Sequence, residues 1–225
     1  MNFISENPVI VIVILIAAGV VVYVSYFTNK AVVKRKLKNA KLKTANEFKS
    51  GQSAKIIGRV ECTGNVLVAP LSGRECAYYY VLVEKKTSSG KNSYWSTLIE
   101  DEAETEFLLK DGDTYVHIED KKMKSHIVQD RHYTSGFMED AARELEAYLN
   151  KHGHDSENYL GFNKTIRYRE AILEVGEAVA VFGQGTWQPS HVLDLPEQYG
   201  NVLVINAKED GYIYLSDDVD TVNVI

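Results

Sequence analysis

The chain of 225 residues has only two cysteines, Cys62 and Cys76, and four prolines. Two cysteines cannot staple a disulfide-dense secreted scaffold or build a four-cysteine zinc site. The marks of common catalytic families are missing too, with no Gly-x-Ser-x-Gly, Walker-type loop or His-Glu-x-x-His. The histidines are scattered, and their one grouping, His152-Gly153-His154-Asp155, has no neighbouring ligands to close a metal site. Arg74 would lower a thiol pKa at Cys76, but Glu75 opposes it and no histidine is placed by sequence as a base. Both cysteines read as small buried hydrophobes. The sequence therefore predicts no catalytic residue, no cofactor and no metal ligand.

Charge is absent between Glu6 and Lys30. The apolar run within that gap, residues 8–27, has the roughly 20 residues that a helix needs to span a hydrocarbon core. A cleaved signal peptide would need a basic start and a shorter apolar stretch. The expectation is an uncleaved single-span anchor, with residues 1–29 as tail and transmembrane helix and residues 8–27 meeting the lipid bilayer. Tyr23, Tyr26 and Phe27 fit an aromatic belt at one interface. Every nearby Lys or Arg follows the run, which predicts a cell-membrane protein whose soluble part is cytoplasmic.

Basic residues are concentrated just after that run. Residues 1–50 hold eight Lys/Arg against Glu6 and Glu47, a net of +6, while residues 51–225 hold 17 basic and 29 acidic residues, a net of −12. A body that acidic repels a phosphate backbone, so nucleic acid is excluded as the expected partner and a protein takes its place. Residues 30–46 read as a basic juxtamembrane helix or linker. Lys34, Arg35, Lys36 and Lys38 are expected at anionic headgroups, each adding roughly 1 kcal/mol of surface attraction.

From residue 47 to 225 the pattern alternates as strands do. Strands are predicted at 54–61, 65–69, 76–85, 94–99, 104–110, 114–118, 165–169, 178–182, 201–206, 212–215 and finally 221–225. Residues 85–93 read as an exposed hairpin tip. One amphipathic helix interrupts the strands at about 136–151, with Phe137, Met138, Ala141, Ala142, Leu145, Tyr148 and Leu149 on one stripe. Ser135 and Gly153 would cap it. A faint repeat joins 48–60 to 173–185: Gly51 and Gly58 align with Gly176 and Gly183, and Ile56 with Val181. Each copy is a glycine turn leading into a short strand, which suggests a barrel or sandwich built from two related halves.

The segment "VAPLSGRECAYYY", residues 68–80, reads as a hairpin. Pro70 ends one strand and Ser72-Gly73 turn the chain, so 65–69 can pair with 76–85. Simple alternation puts Cys76, Tyr78, Tyr80 and Leu82 on one face, and Ala77, Tyr79, Val81 and Val83 on the other. Two covered faces predict a central strand.

These residues resemble the GIDE or "beside a membrane" domain, known from a mitochondrial ubiquitin ligase activator and from prokaryotic membrane proteins. Pro70, Gly73, Arg74, Cys76, Tyr78 and Tyr80 match its early motif. The stretch 168–185, with Glu170, Gly176 and Gly183, matches its late motif, and residues 107–112 and 211–218 agree more loosely. The resemblance covers roughly residues 45–218 and implies a mainly β domain beside a bilayer, with these residues structural. A ubiquitin ligase label would come from the RING finger of relatives, and no eight-ligand Cys/His set occurs in this sequence. The expected whole is a mainly β (α+β) protein: a transmembrane helix, then a barrel- or sandwich-like domain with one inserted helix. Its expected function is a membrane-anchored, non-catalytic interaction or sensing module. The alternatives are a ligase-like protein and a structural subunit of a membrane assembly.

Overall fold

Five strands close into a barrel, and a second sheet is built from what is inserted between them. The computed structural model describes residues 8–89, 92–119, 122–134, 143–155 and 165–223. The barrel uses β1 (Ser53–Cys62), β5 (Phe107–Asp111), β6 (Thr114–Ile118), β10 (Ala178–Pro189) and β11 (Asn201–Asn206). Their order is β1-β5-β6-β11-β10, with β10 returning to β1. All neighbours are antiparallel except β6 and β11, which run parallel. The structure is mainly β, as expected.

Long strands shared between two neighbours make closure possible. The first part of β1 pairs with β10 and its last four residues with β5. In the same way β10 leaves β1 after Gln184 and continues along β11. The inward faces pack Ile56, Val60, Leu109, Val116, Val181, Leu203 and Ile205 into the principal core.

The β1–β5 connection contributes β2 (Leu67–Val68), β3 (Glu75–Ser89) and β4 (Asn92–Glu104). The β6–β10 connection contributes β8 (Gln129–Thr134), α3 (Arg143–Lys151) and β9 (Ile166–Glu174), and also β7 (Met123–His126), which pairs with β12 (Ile213–Ser216) and, with it, extends the barrel's own sheet from β10 to seven strands. β3 lies at the centre of the second sheet, with β2 and β4 along one edge and β9 then β8 along the other. Leu145, Tyr148 and Leu149 of α3 pack on Val81, Val83 and Ile99 of that sheet. Ser135, Phe137, Met138, Ala141 and Ala142 lie outside the described residues.

Several sequence expectations need correction. β3 and β4 stay paired out to Ser89 and Asn92, so the ladder runs through most of the predicted tip. β7 and β8 were not predicted at all. Thr221 and Val222 belong to a short helix, α4 (Val219–Val222), rather than a last strand. Asp218 caps it by accepting from Asp220 N–H, and Thr221 Oγ1 donates to the Asp218 carbonyl at 2.7 Å. A good N-cap outweighs the β preference of Thr-Val. Cys76 also changes faces. A bulge between Cys76 and Tyr78 inserts one residue against β9, so Cys76 packs with Ile172 and Tyr79 while Ala77 joins Tyr78 in the barrel core.

Two helices precede the barrel. Helix α1 (Pro8–Phe27) meets α2 (Asn29–Asn39) at Thr28, whose hydroxyl accepts from Ala31 N–H. Among the described residues no single helix is long and apolar enough to cross a membrane. Ile12–Phe27 and Asn29–Asn39, bent by 53° at their junction, reach that length and composition together.

Candidate functional site

The motif residues converge although a hundred positions separate them in sequence. The Glu170 side chain is fully buried, and its Oε1 accepts from Leu71 N–H at 2.9 Å and Ser72 N–H at 3.3 Å. The acid of the late motif thus holds the Pro70–Gly73 turn of the early one. Gly73 adopts φ 69°, which lets the chain reverse so that Leu67 pairs with Cys76. Arg74 forms an ion pair with Glu174 and lies 3.7 Å from Asp130. Gly176 turns with φ 82°, and its carbonyl accepts from Arg59 at 2.8 Å. Gly183 stands apart, in the barrel wall, where a Cβ would run into Ile205 and the Asn206 carbonyl.

Cys76 is buried, and burial with Glu170 nearby pushes its thiol up to about 11. A thiol in that state is a packing group at neutral pH. The tyrosines are tied down as well. Tyr78 OH donates to Glu102 and Tyr80 OH to Glu100, both at 2.8 Å, across the β3–β4 ladder. Tyr148 OH donates to Asp101 at 2.8 Å and so locks α3 onto the hairpin. Burial and then the carboxylate partner raise the Tyr78 and Tyr148 hydroxyls well above the ordinary phenol range.

The predicted membrane-contact residues lie on a docked helix. Val33 and Leu37 of α2 are fully buried against Ala180, Ile57, Phe182, Tyr214 and Val222. Lys34 bridges Asp218 at 2.8 Å and Asp220 at 2.9 Å, and Lys38 lies 3.4 Å from Asp220. These partners raise Lys34 above its ordinary value. Lys36 covers the Phe182 ring at 4.4 Å. Arg35 donates back to the Tyr26 carbonyl and lies 5.4 Å from the Tyr26 ring centre. Sequence reasoning saw the lysines of α2 and missed its Val33/Leu37 pair, whose i,i+4 spacing marks a buried stripe.

A cleft of about 560 Å³ opens on the barrel between β5–β6 and the segment that joins β10 to β11. Glu104, Glu106, Glu119 and Asp194 give it an acidic wall; Phe107, Ile118 and Leu195 give it an apolar one. Asp194 follows a 3₁₀ turn over Ser190–Leu193 in the left-handed conformation, φ 55°, and Leu195 N–H closes the turn on Ser190 at 3.0 Å. Thr63 Oγ1, on the same wall, is buried without a hydrogen-bond partner among the described residues. Thr63, residues 104–108 and 117–119, Met123 and residues 193–195 meet to build this cleft, and no sequence motif announced it. Among the described residues no group of three His, Cys, Asp or Glu is placed to hold a metal ion.

No protein-family model, no curated protein and no solved structure matches this chain.

Proposed function

We propose that this chain is a membrane-anchored, non-catalytic binding module of the GIDE kind, with its barrel on the cytoplasmic side and its acidic cleft open to a cationic segment of a protein partner. One observation carries the reading. Helix α1 is apolar and exposed on every side, with Val9 70%, Ile12 56%, Leu15 66%, Val21 63% and Phe27 67% accessible. On the helix that follows it, Val33 and Leu37 are fully buried. Among the described residues α1 buries no apolar side chain, and an apolar helix so exposed is stable only in an apolar medium, since exposed apolar area costs about 25 cal/mol per Å² in water.

The docking of α2 then supports a stiff link between anchor and barrel. The convergence of the early and late motif residues at Glu170 supports the family reading. Five-stranded barrels of the OB type bind ligands on their second and third strands and the flanking loops, which here are β5, β6 and the walls of the cleft. That likeness is one of fold, and the charge of the cleft argues for a basic polypeptide over an oligonucleotide.

Alkaline carbonate extraction of cells expressing the full chain tests the anchor: the protein should stay in the membrane pellet, and release into the supernatant overturns the reading. Protease added to intact cells should leave the barrel uncut. Digestion from outside would reverse the orientation.

A further inference from the structure

A short lysine-rich stretch follows Glu119-Asp120 and leads into β7, the strand tied to the start of α2. Residues 51–225 are strongly acidic, yet Lys121-Lys122-Met123-Lys124 places three lysines in four residues. Lys122 lies just before β7 and Lys124 lies on it. β7 is the outermost strand of the seven-stranded sheet, beyond β12 (Ile213–Ser216). Asn29 Nδ2, in the first turn of α2, donates to the carbonyl of Ser125 on β7 at 2.8 Å.

That bond ties β7 to the first turn of α2. Helix α1 has 20 residues and so is about 30 Å long, the thickness of a hydrocarbon core. On the anchor reading, in which residues 8–27 fill that core, Phe27 lies at its edge and Asn29 about 3 Å further out, inside a headgroup layer roughly 5–7 Å deep. The Ser125 carbonyl is within hydrogen-bond reach of the Asn29 side chain and so lies near that level. Met123 and Lys124 follow within about 3.3 Å per strand residue. Met123, at the border of the acidic cleft, is 37% exposed and Tyr212 43% exposed, and Lys124 Nζ lies 4.0 Å from the centre of the Tyr212 ring. Lysine, methionine and tyrosine beside a helix end are an interfacial set, with cations for phosphates and amphipathic side chains for the boundary.

We infer that the β7 edge, through Lys122, Met123, Lys124 and Tyr212, is a second membrane contact that takes anionic lipid headgroups. It holds the barrel down on the cytoplasmic leaflet. The inference rests on the anchor reading above. Each lysine adds about fivefold in surface affinity on an anionic leaflet, the conversion of roughly 1 kcal/mol per cation.

The chain has three methionines, so methyl-labelled methionine gives few signals, and Met123→Leu identifies the one needed. The full chain is placed in nanodiscs of phosphatidylcholine, with and without phosphatidylglycerol, each doped with a gadolinium-chelating lipid. The Met123 methyl should broaden, more strongly with phosphatidylglycerol, and the double variant Lys122→Glu/Lys124→Glu should reduce the effect severalfold. Lys122→Arg/Lys124→Arg should keep it. A chain that enters the discs while Met123 stays sharp overturns the inference and leaves the anchor standing. Broadening indifferent to lipid charge and to charge reversal also overturns it. A chain that does not enter the discs removes the anchor reading and this inference together.

Discussion

Ile56 and Val181 sit directly opposite each other in the β1–β10 ladder, and each is the other's counterpart in the repeated sequence. The repeat therefore pairs with itself about a local two-fold axis. The surrounding hydrogen bonds obey that axis. Gly51 N–H donates to Gly185 at 2.9 Å, as Gly176 N–H donates to Val60 at 2.8 Å; Gly185 N–H reaches Gln52, as Val60 N–H reaches Glu177. Gly51 and Gly176 share positive φ, 85° and 82°.

The axis makes Gly58 and Gly183 equivalent for a physical reason. A Cβ on Gly58 would lie 2.8 Å from Leu109 Cβ and 3.3 Å from the Lys110 carbonyl. A Cβ on Gly183 would meet Ile205 and the Asn206 carbonyl, the matching pair on the matching strand. Both alanine variants should destabilise by about 1–3 kcal/mol. Gly183→Ala should be the worse, because its contacts are closer. Urea midpoints of the full chain in detergent will check this, and a neutral Gly183→Ala would refute the close-approach argument.

Much of this barrel could be read from the sequence, because β6 alternates, β11 is a short continuous apolar run, and the repeat places its glycines where the wall is tight. β7 and β8 could not be read. "MKSH" and "QDRHYT" are short and polar, and β7 is paired only through a parallel partner far along the chain. The Lys-rich α2 suggested a membrane surface by composition, while two buried apolar residues, Val33 and Leu37, were enough to dock it on the barrel. The candidate cleft lay beyond sequence reasoning, since Glu104, His117 and Asp194 meet only through the fold.

The docked α2 yields a graded expectation. Leu37→Ala removes a fully buried side chain and should cost about 2–4 kcal/mol, with amide exchange accelerated along α2. Lys34→Ala breaks two partly exposed ion pairs and should cost only about 0.5–1 kcal/mol, less at high salt. If the lysine variant were the more damaging, charge and not burial would hold the helix.

Glu170 is buried to hold a turn, which separates two substitutions. Glu170→Ala leaves the N–H groups of Leu71 and Ser72 without their acceptor and should cost about 2–4 kcal/mol. Glu170→Gln keeps an oxygen for the same two donors and should cost markedly less. Equal losses in thermal denaturation would mean that the charge itself is needed.

The Cys76 thiol should be silent in the native state. It is fully buried and held protonated to about 11, so a thiol reagent at neutral pH should label it only after unfolding. Cys62 is more exposed, and burial also raises its thiol. Cys62 should therefore react slowly but first. Rapid native labelling of Cys76, read by mass spectrometry of the modified peptide, would reopen thiol chemistry.

Two carboxylates should make the fold lose stability as pH rises. Burial, with other acids nearby, pushes Asp217 from 3.8 to about 6 and Glu177 from 4.5 to about 7. Val128 N–H donates to both Asp217 oxygens at 2.9 and 3.0 Å and limits the shift there. Between about pH 4 and 7 the folded chain holds protons that the unfolded chain has released, so the contribution of these groups falls through that window. His126 acts in the opposite sense, because burial lowers its pKa and its stabilising neutral form is lost on acidification. The wild-type profile thus mixes signs, and the variants isolate the term. Asp217→Asn and Glu177→Gln should each gain stability over wild type as pH is raised from about 5 to about 8, by on the order of 1–3 kcal/mol, read as a melting-temperature difference that widens with pH. A difference that stays flat across that range would show that neither carboxyl is protonated in the native protein near neutrality.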